Sequence, residues 1–215
     1  SECPPTFNTP PDLVQGLIAG GDGALRRSIE KAEDDPEEGK RDLVAHNFSS
    51  SDVLVGIAAS GRTPYVLGAV AHARSLGALS IGLSCTPNSA LARAAEIAIT
   101  PAPGPEIVTG STRLRAGTAT KLVLNMLSTG TMIRLGYVYG NLMVNVQPTN
   151  EKLIDRARRI IAAIAGVSYD EASRLLSMAG SVRTAIVMHK RSLTRAQAEA
   201  KLAASHGRLR AALEE

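Results

Sequence analysis

The stretch VLVGIAASGRTPYVLGAV, residues 53–70, runs from an apolar strand through a turn of small residues into a helix. Val53 to Ile57 is a short apolar run of the kind that lies in a buried parallel sheet, and Pro64 suits the first position of a helix. Between them stand Ser60, Gly61, Arg62 and Thr63. The unpaired N–H groups of the first helical turn, with the partial positive charge of the helix end, would face this turn and suit an anion such as phosphate. Ser60 and Thr63 would add hydroxyl donors. The same residues also fit a plainer role, in which Ser60 or Thr63 only caps the helix. No G-x-G-x-x-G follows a strand here and no Walker loop is present, so a dinucleotide or nucleotide triphosphate cradle is not indicated.

Outward from this stretch, further apolar runs bounded by turn residues recur at Leu13 to Ile18, Leu79 to Leu83 and Ile97 to Ile99. They are expected to be strands. Helical periodicity fills Asp22 to Asp34, Pro64 to Leu76 and Ser89 to Glu96, and strand alternating with helix implies an α/β fold, a parallel sheet flanked by helices. Thr118 to Leu135, apolar with small residues throughout, suits a long buried helix closing that domain. After NLMVNVQPTN the character changes. Glu151 to Ile164, Tyr169 to Met178, Ser181 to His189 and Thr194 to Leu213 read as short helices, with caps at Ser168, Ser181 and Thr194. The expected organisation is a domain over 1–149 and a small C-terminal helical domain over 150–215. Because an α/β domain normally opens on a strand and this chain opens on the turn SECPPTF, it is expected to lack an N-terminal strand.

A chain of 215 residues with 44% hydrophobic content can bury a substantial core without covalent staples. Cys3 and Cys85 are the only cysteines, too few for a disulfide framework or a four-thiolate zinc site, and a reducing compartment fits. No apolar stretch approaches bilayer length and the first residues do not resemble a signal peptide, so no membrane association is expected. The net charge is +4, with Arg and Lys denser from Glu151 onward. Aromatic residues, at 3%, are too few for base stacking, and the basic residues alternate with acids along helical periods, so no nucleic-acid partner is expected.

Two further places hold chemistry-bearing residues. PEIVTGSTRLRAGTATK, residues 105–121, sets Glu106 before a hydroxyl-rich turn with Thr109, Ser111 and Thr112, which suits either a polar ligand or a surface loop with an ordinary helix cap. Glu30 and Glu33, three apart in EKAEDDPEEGK, would share one face of a helix, as a solvated helix end also would. Glu2 precedes Cys3, Pro4 and Pro5, a stiff setting for a carboxylate. His46, His72, His189 and His206 lack ligand spacing and no partner for a Cys3 nucleophile is evident, so neither a metal nor a cofactor is expected.

Taken together, SECPPTF, GLIAGG, GIAASGRTPYV, VTGSTRLRAGTATKLVLNMLSTG and GNLMVNVQPTNEKL resemble the N-acetylmuramic acid 6-phosphate etherases over nearly the whole chain. The resemblance implies a sugar isomerase (SIS) fold, a flavodoxin-like three-layer sandwich, usually as a cytoplasmic homodimer that acts in peptidoglycan recycling. The implied reaction is a lyase route that cleaves the lactyl ether, giving N-acetylglucosamine 6-phosphate and D-lactate. The C1 aldehyde acidifies the C2 proton, a base removes it, the C3 lactate leaves with help from an acid, and water adds back. By motif position Glu2 matches the family's proton donor and Glu33 its second catalytic glutamate. Ser60, Gly61, Arg62 and Thr63 match the phosphate loop, and Ser111 and Thr112 a second ligand-facing turn. The family carries a GTSGR-type segment upstream of SECPPTF, and this sequence begins after it. The rivals are a non-catalytic sugar-phosphate sensor of the glucokinase regulatory protein type, an aldose–ketose isomerase on the same fold, and an interaction module using the C-terminal helices.

Overall fold

The computed structural model describes residues 3–214, and Glu2 lies outside the described residues. In chain order the elements are α1 (Cys3–Phe7), α2 (Gly21–Ala24), α3 (Pro36–Ala45), β1 (Val53–Ile57), α4 (Pro64–Ser75), β2 (Leu79–Leu83), α5 (Ala90–Ala94) and β3 (Ile97–Ile99). There follow α6 (Arg115–Arg134), α7 (Glu151–Ala165), α8 (Tyr169–Ala179), α9 (Val182–Arg191), α10 (Arg195–Ala204) and α11 (Leu209–Glu214). The chain forms two compact units, Gly16–Met126 and the combination of Ser1–Gln15 with Leu127–Glu215, so that the division falls inside α6.

In the unit of residues 16–126 the strands lie in the order β1-β2-β3, all parallel, with Val53 opposite Leu79, Ile57 opposite Leu83 and Ile81 opposite Ile97. This is the α/β fold expected, with the three strand ranges as read. Strands joined in parallel need a helical crossover, and α4 and α5 supply it. Ala58, Val70 and Leu91 bury themselves together, with Leu54, Val66, Leu67, Ala94 and Ala95 packed around them. α3 then lies on α4 so closely that a Cβ at Gly39 would stand 2.1 Å from the Tyr65 carbonyl oxygen. Only a glycine permits that approach.

Three expectations in this unit are corrected. Leu13 to Ile18, which crosses into it, is not a strand: the Leu13 amide folds back to the Pro10 carbonyl at 3.2 Å, and Leu13, Val14 and Ile18 remain exposed. An apolar run becomes a strand only where a neighbour offers its ladder, and among the described residues none pairs with this one. Asp22 to Asp34 is not one helix. After α2 the amides of Arg26 and Arg27 both turn back to the Gly23 carbonyl, and Lys31 sits at φ 64°, a left-handed conformation that no α-helix continues through. Glu30 and Glu33 therefore do not share a helix face. The third correction concerns α6, which forms but is not buried all round: Val123 and Met132 are covered, whereas Leu122 and Met126 are 52% and 65% exposed.

The other unit is helical. Asn150, Ser168, Ser181 and Thr194 cap α7, α8, α9 and α10, each accepting the amide three residues on. Each such cap is worth about 1 kcal/mol. Leu153, Ile160, Ile161, Leu175, Ile186 and Leu209 form the core with Val144 and Val146 from the preceding segment. The helix expected over Thr194 to Leu213 is two. His206 at φ 51° and Gly207 at φ 73° turn the chain between α10 and α11, and Arg183 donates to the Gly207 carbonyl at 2.7 Å. Alanine-rich periodicity runs on through the break because apolar spacing does not register a left-handed turn.

Candidate functional site

The turn after β1 is built from below. The Ala58 amide continues the ladder to the Leu83 carbonyl, and the Gly61 amide closes a tight turn on Ala58 at 2.9 Å. Gly61 takes φ +65°, and a Cβ there would meet Ser89 Oγ at 2.2 Å. Its carbonyl accepts the Leu91 amide at 2.9 Å, tying the turn to the start of α5. Beneath it, Ser84 and Ser89 are buried with their hydroxyls 2.9 Å apart. Ser84 donates to the Thr86 carbonyl, so the Ser89 hydroxyl donates to Ser84 and accepts the Ala92 amide. The pair is thus fully committed to holding the turn.

Thr63 occupies the N-cap position of α4 but its side chain makes no capping hydrogen bond, unlike the caps of α3 and α5. The Ser60 hydroxyl accepts the Arg62 amide at 3.3 Å, a local turn contact short of a helix cap. Ser60 and Arg62 are exposed. The arrangement is a rigid backbone turn with hydroxyls and a guanidinium on its open side, at a helix N-terminus and at the carboxyl ends of parallel strands. Anionic ligands of such folds bind there.

Glu33 reaches the same place. Its carbonyl oxygen accepts the Tyr65 amide, in the first turn of α4, at 3.1 Å. Asp35, two residues on, caps α3 by accepting the Glu37 amide, so the peptide that carries Glu33 is fixed between two helix starts. Tyr65 completes the connection. Its ring is buried, its hydroxyl donates to Asp42 Oδ2 at 2.5 Å, and burial followed by the Asp42 carboxylate pushes its pKa well above the tyrosine range. The phenol is therefore a fixed donor. Neither Tyr65 nor Asp42 was singled out in the sequence, and the signal available, an aromatic at the second helical position after a small-residue turn, is shared by many core tyrosines.

Ser111 and Thr112 form the turn into α6: the Ser111 amide donates to Val108 and the Gly117 amide to the Thr112 carbonyl, both at 3.0 Å. Glu106 is absorbed by structure, its two carboxylate oxygens accepting the Arg115 and Ala116 amides at 3.1 and 2.9 Å. Those bonds, that to Ala116 foremost, hold its pKa below the ordinary value of 4.5. The segment after β2 links this turn to the first. The Cys85 amide donates to the Ala59 carbonyl at 2.9 Å, while its thiol lies 3.7 Å from the Ala116 carbonyl. The Ser60–Thr63 turn, the Glu33 peptide and the Ser111–Thr112 turn thus stand at one end of the sheet. A groove between α3 and α4, lined by Pro36, Lys40, Leu67 and His72, runs along the helices instead and carries none of these residues. Among the described residues no group of three or more His, Cys, Asp or Glu is placed to hold a metal ion, and no helix is long and apolar enough to cross a membrane.

The chain is similar to known proteins in two comparisons. The family model for the glucokinase regulatory protein N-terminal SIS domain matches residues 5–74. A Rhodopirellula baltica protein named N-acetylmuramic acid 6-phosphate etherase is 61% identical over 190 residues, which are 88% of this chain and 63% of that protein. Proteins of the same name from Salmonella schwarzengrund and Salmonella dublin are each 54% identical over 215 residues, all of this chain and 72% of theirs. The chain thus spans less than two thirds of the Rhodopirellula relative and somewhat more of the Salmonella relatives.

Proposed function

Because the chain belongs to the N-acetylmuramic acid 6-phosphate etherase family, we propose that it serves a lyase that cleaves the D-lactyl ether of N-acetylmuramic acid 6-phosphate by elimination followed by hydration. The products are N-acetylglucosamine 6-phosphate and D-lactate, and the setting is cytoplasmic peptidoglycan recycling. The carrying observation is the hydrogen bond from the Tyr65 amide to the Glu33 carbonyl, which fixes the Glu33 peptide beside the Ser60–Thr63 turn.

In this reading Ser60, Gly61, Arg62 and Thr63 take the 6-phosphate through backbone amides, hydroxyls and the Arg62 charge, while Ser111 and Thr112 contact the sugar. Glu33 acts as one of two catalytic carboxyl groups and Glu2 as the proton donor, with no metal or cofactor. Removing a proton from C2 and protonating the departing C3 oxygen need one ionised and one neutral carboxyl. The sugar-phosphate part lies within 1–149 and the helical part at 150–215, and the protein works as a homodimer. The sensor reading is not favoured, since relatives at 54–61% identity carry the etherase name.

Lactate release from N-acetylmuramic acid 6-phosphate is measured for this chain and for a version extended upstream, with Glu33→Ala as control. Release that is lost in the control supports the lyase. No release from either form overturns it and returns the sugar-phosphate sensor.

A further inference from the structure

The segment Leu142 to Pro148 alternates in what its side chains do. Val144 and Val146, 1% and 4% exposed, enter the core of the helical unit. Asn145 between them is 6% exposed, and a buried amide without a partner costs several hydrogen bonds' worth of solvation. Its Nδ2 donates to the carbonyl oxygen of Phe7, an acceptor left over at the end of α1. Gln147 Nε2 donates to Asn8 Oδ1.

α1 has five residues and none of them is buried. A helix so short has no stability of its own, and its residues are at most half-buried, so polar ties to the rest of the unit count. It ends at Asn8, φ 53°, whose amide returns to the Pro4 carbonyl at 2.8 Å. The two amide side chains therefore supply the ties that hold this helix and its left-handed end in place. We propose that Asn145 and Gln147 are positioning residues: they anchor the α1 segment, which directly follows Glu2 in the sequence, to the helical core through Val144 and Val146. The proposal rests on the reading of Glu2 as proton donor. It also explains why a strand-like apolar run carries an amide at every second place in VNVQ.

The test uses Asn145→Asp, which keeps size and sets an acceptor against the Phe7 carbonyl, and Gln147→Leu, which removes the donor, because a glutamate there would be met by the Asn8 amide turned over; Gln147 is exposed, so its variant leaves folding intact. Hydrogen exchange is followed at the amides of Thr6, Phe7, Asn8 and Thr9 against those of α7 to α9, with lactate release measured in parallel and Glu2→Gln as reference. Exchange in the first group is expected to rise about ten-fold with the second unchanged. kcat is expected to fall by about 10- to 100-fold with KM nearly constant, and the pH profile to change in the limb that Glu2→Gln abolishes. Unchanged exchange at Thr6 to Thr9 overturns the anchoring. Raised exchange with unchanged kcat, while Glu2→Gln is inactive, overturns the positioning role. An active Glu2→Gln variant instead removes the reading of Glu2, and the exchange data still decide whether the two amides hold α1.

Discussion

The amide of Tyr65 donates to the carbonyl oxygen of Glu33 at 3.1 Å, and the hydroxyl of the same Tyr65 donates to Asp42 at 2.5 Å. One residue therefore ties the Glu33 peptide to α4 with its backbone and α3 to α4 with its side chain. Since the Ser60–Thr63 turn ends where α4 begins, the position of Glu33 against that turn is set by main-chain hydrogen bonding and leaves its carboxylate exposed.

Glu33→Gln is expected to lower kcat for lactate release by about 10²–10⁴-fold, the usual worth of a general acid or base. Protection of the protein against thermal unfolding by N-acetylmuramic acid 6-phosphate should persist, because the phosphate turn is untouched. Equal kcat in the variant and the parent would remove Glu33 from the chemistry.

Thr63→Ala and Ser60→Ala are expected to raise KM by about ten-fold or more each if their hydroxyls meet a phosphate, since a hydrogen bond to a charged group is worth roughly 1.5–3 kcal/mol. Thr63→Ala should leave the urea midpoint unchanged, because its side chain caps nothing. A fall in midpoint with KM constant would give Thr63 back to the plain capping role.

Gly61→Ala forces a Cβ toward Ser89 Oγ at 2.2 Å and puts a non-glycine residue at φ +65°. The left-handed conformation alone costs about 1–2 kcal/mol. Loss of thermal stability together with loss of phosphate-ligand protection is the expected result, read by the unfolding midpoint with and without ligand.

Glu106 supplies the pH dependence. Its pKa is lowered by the Ala116 and Arg115 amides, so the unfolded chain binds its proton more readily than the folded one. The contribution is complete above the ordinary value of 4.5 and is lost as pH falls through the lower folded value. Urea midpoints measured from pH 6 downward should fall less steeply in Glu106→Gln than in the parent, and identical slopes would refute the capping role.

Much of this was legible in the residues. β1, β2 and β3 stand where short apolar runs between turn residues placed them, and Ser168, Ser181 and Thr194 cap the helices they precede. Leu13 to Ile18 was equally apolar and did not become a strand, because pairing depends on a neighbour and not on the run itself. The Ser60–Thr63 turn was visible as a turn, but not the buried Ser84–Ser89 pair that supports it, whose members look like ordinary loop serines.

Local chemistry, acting over a few residues, was enough to set the strands, most helix starts and the family to which the chain belongs. Tertiary structure alone decided that Glu33 leaves its expected helix at Lys31, that its carbonyl finds the Tyr65 amide, and that Asn145 is spent on Phe7. The last two are hydrogen bonds between residues far apart along the chain, and no periodicity records them. They form because packing α3 on α4 at Gly39, and Val144 and Val146 into the helical core, brings polar groups together where each would otherwise lose its partner.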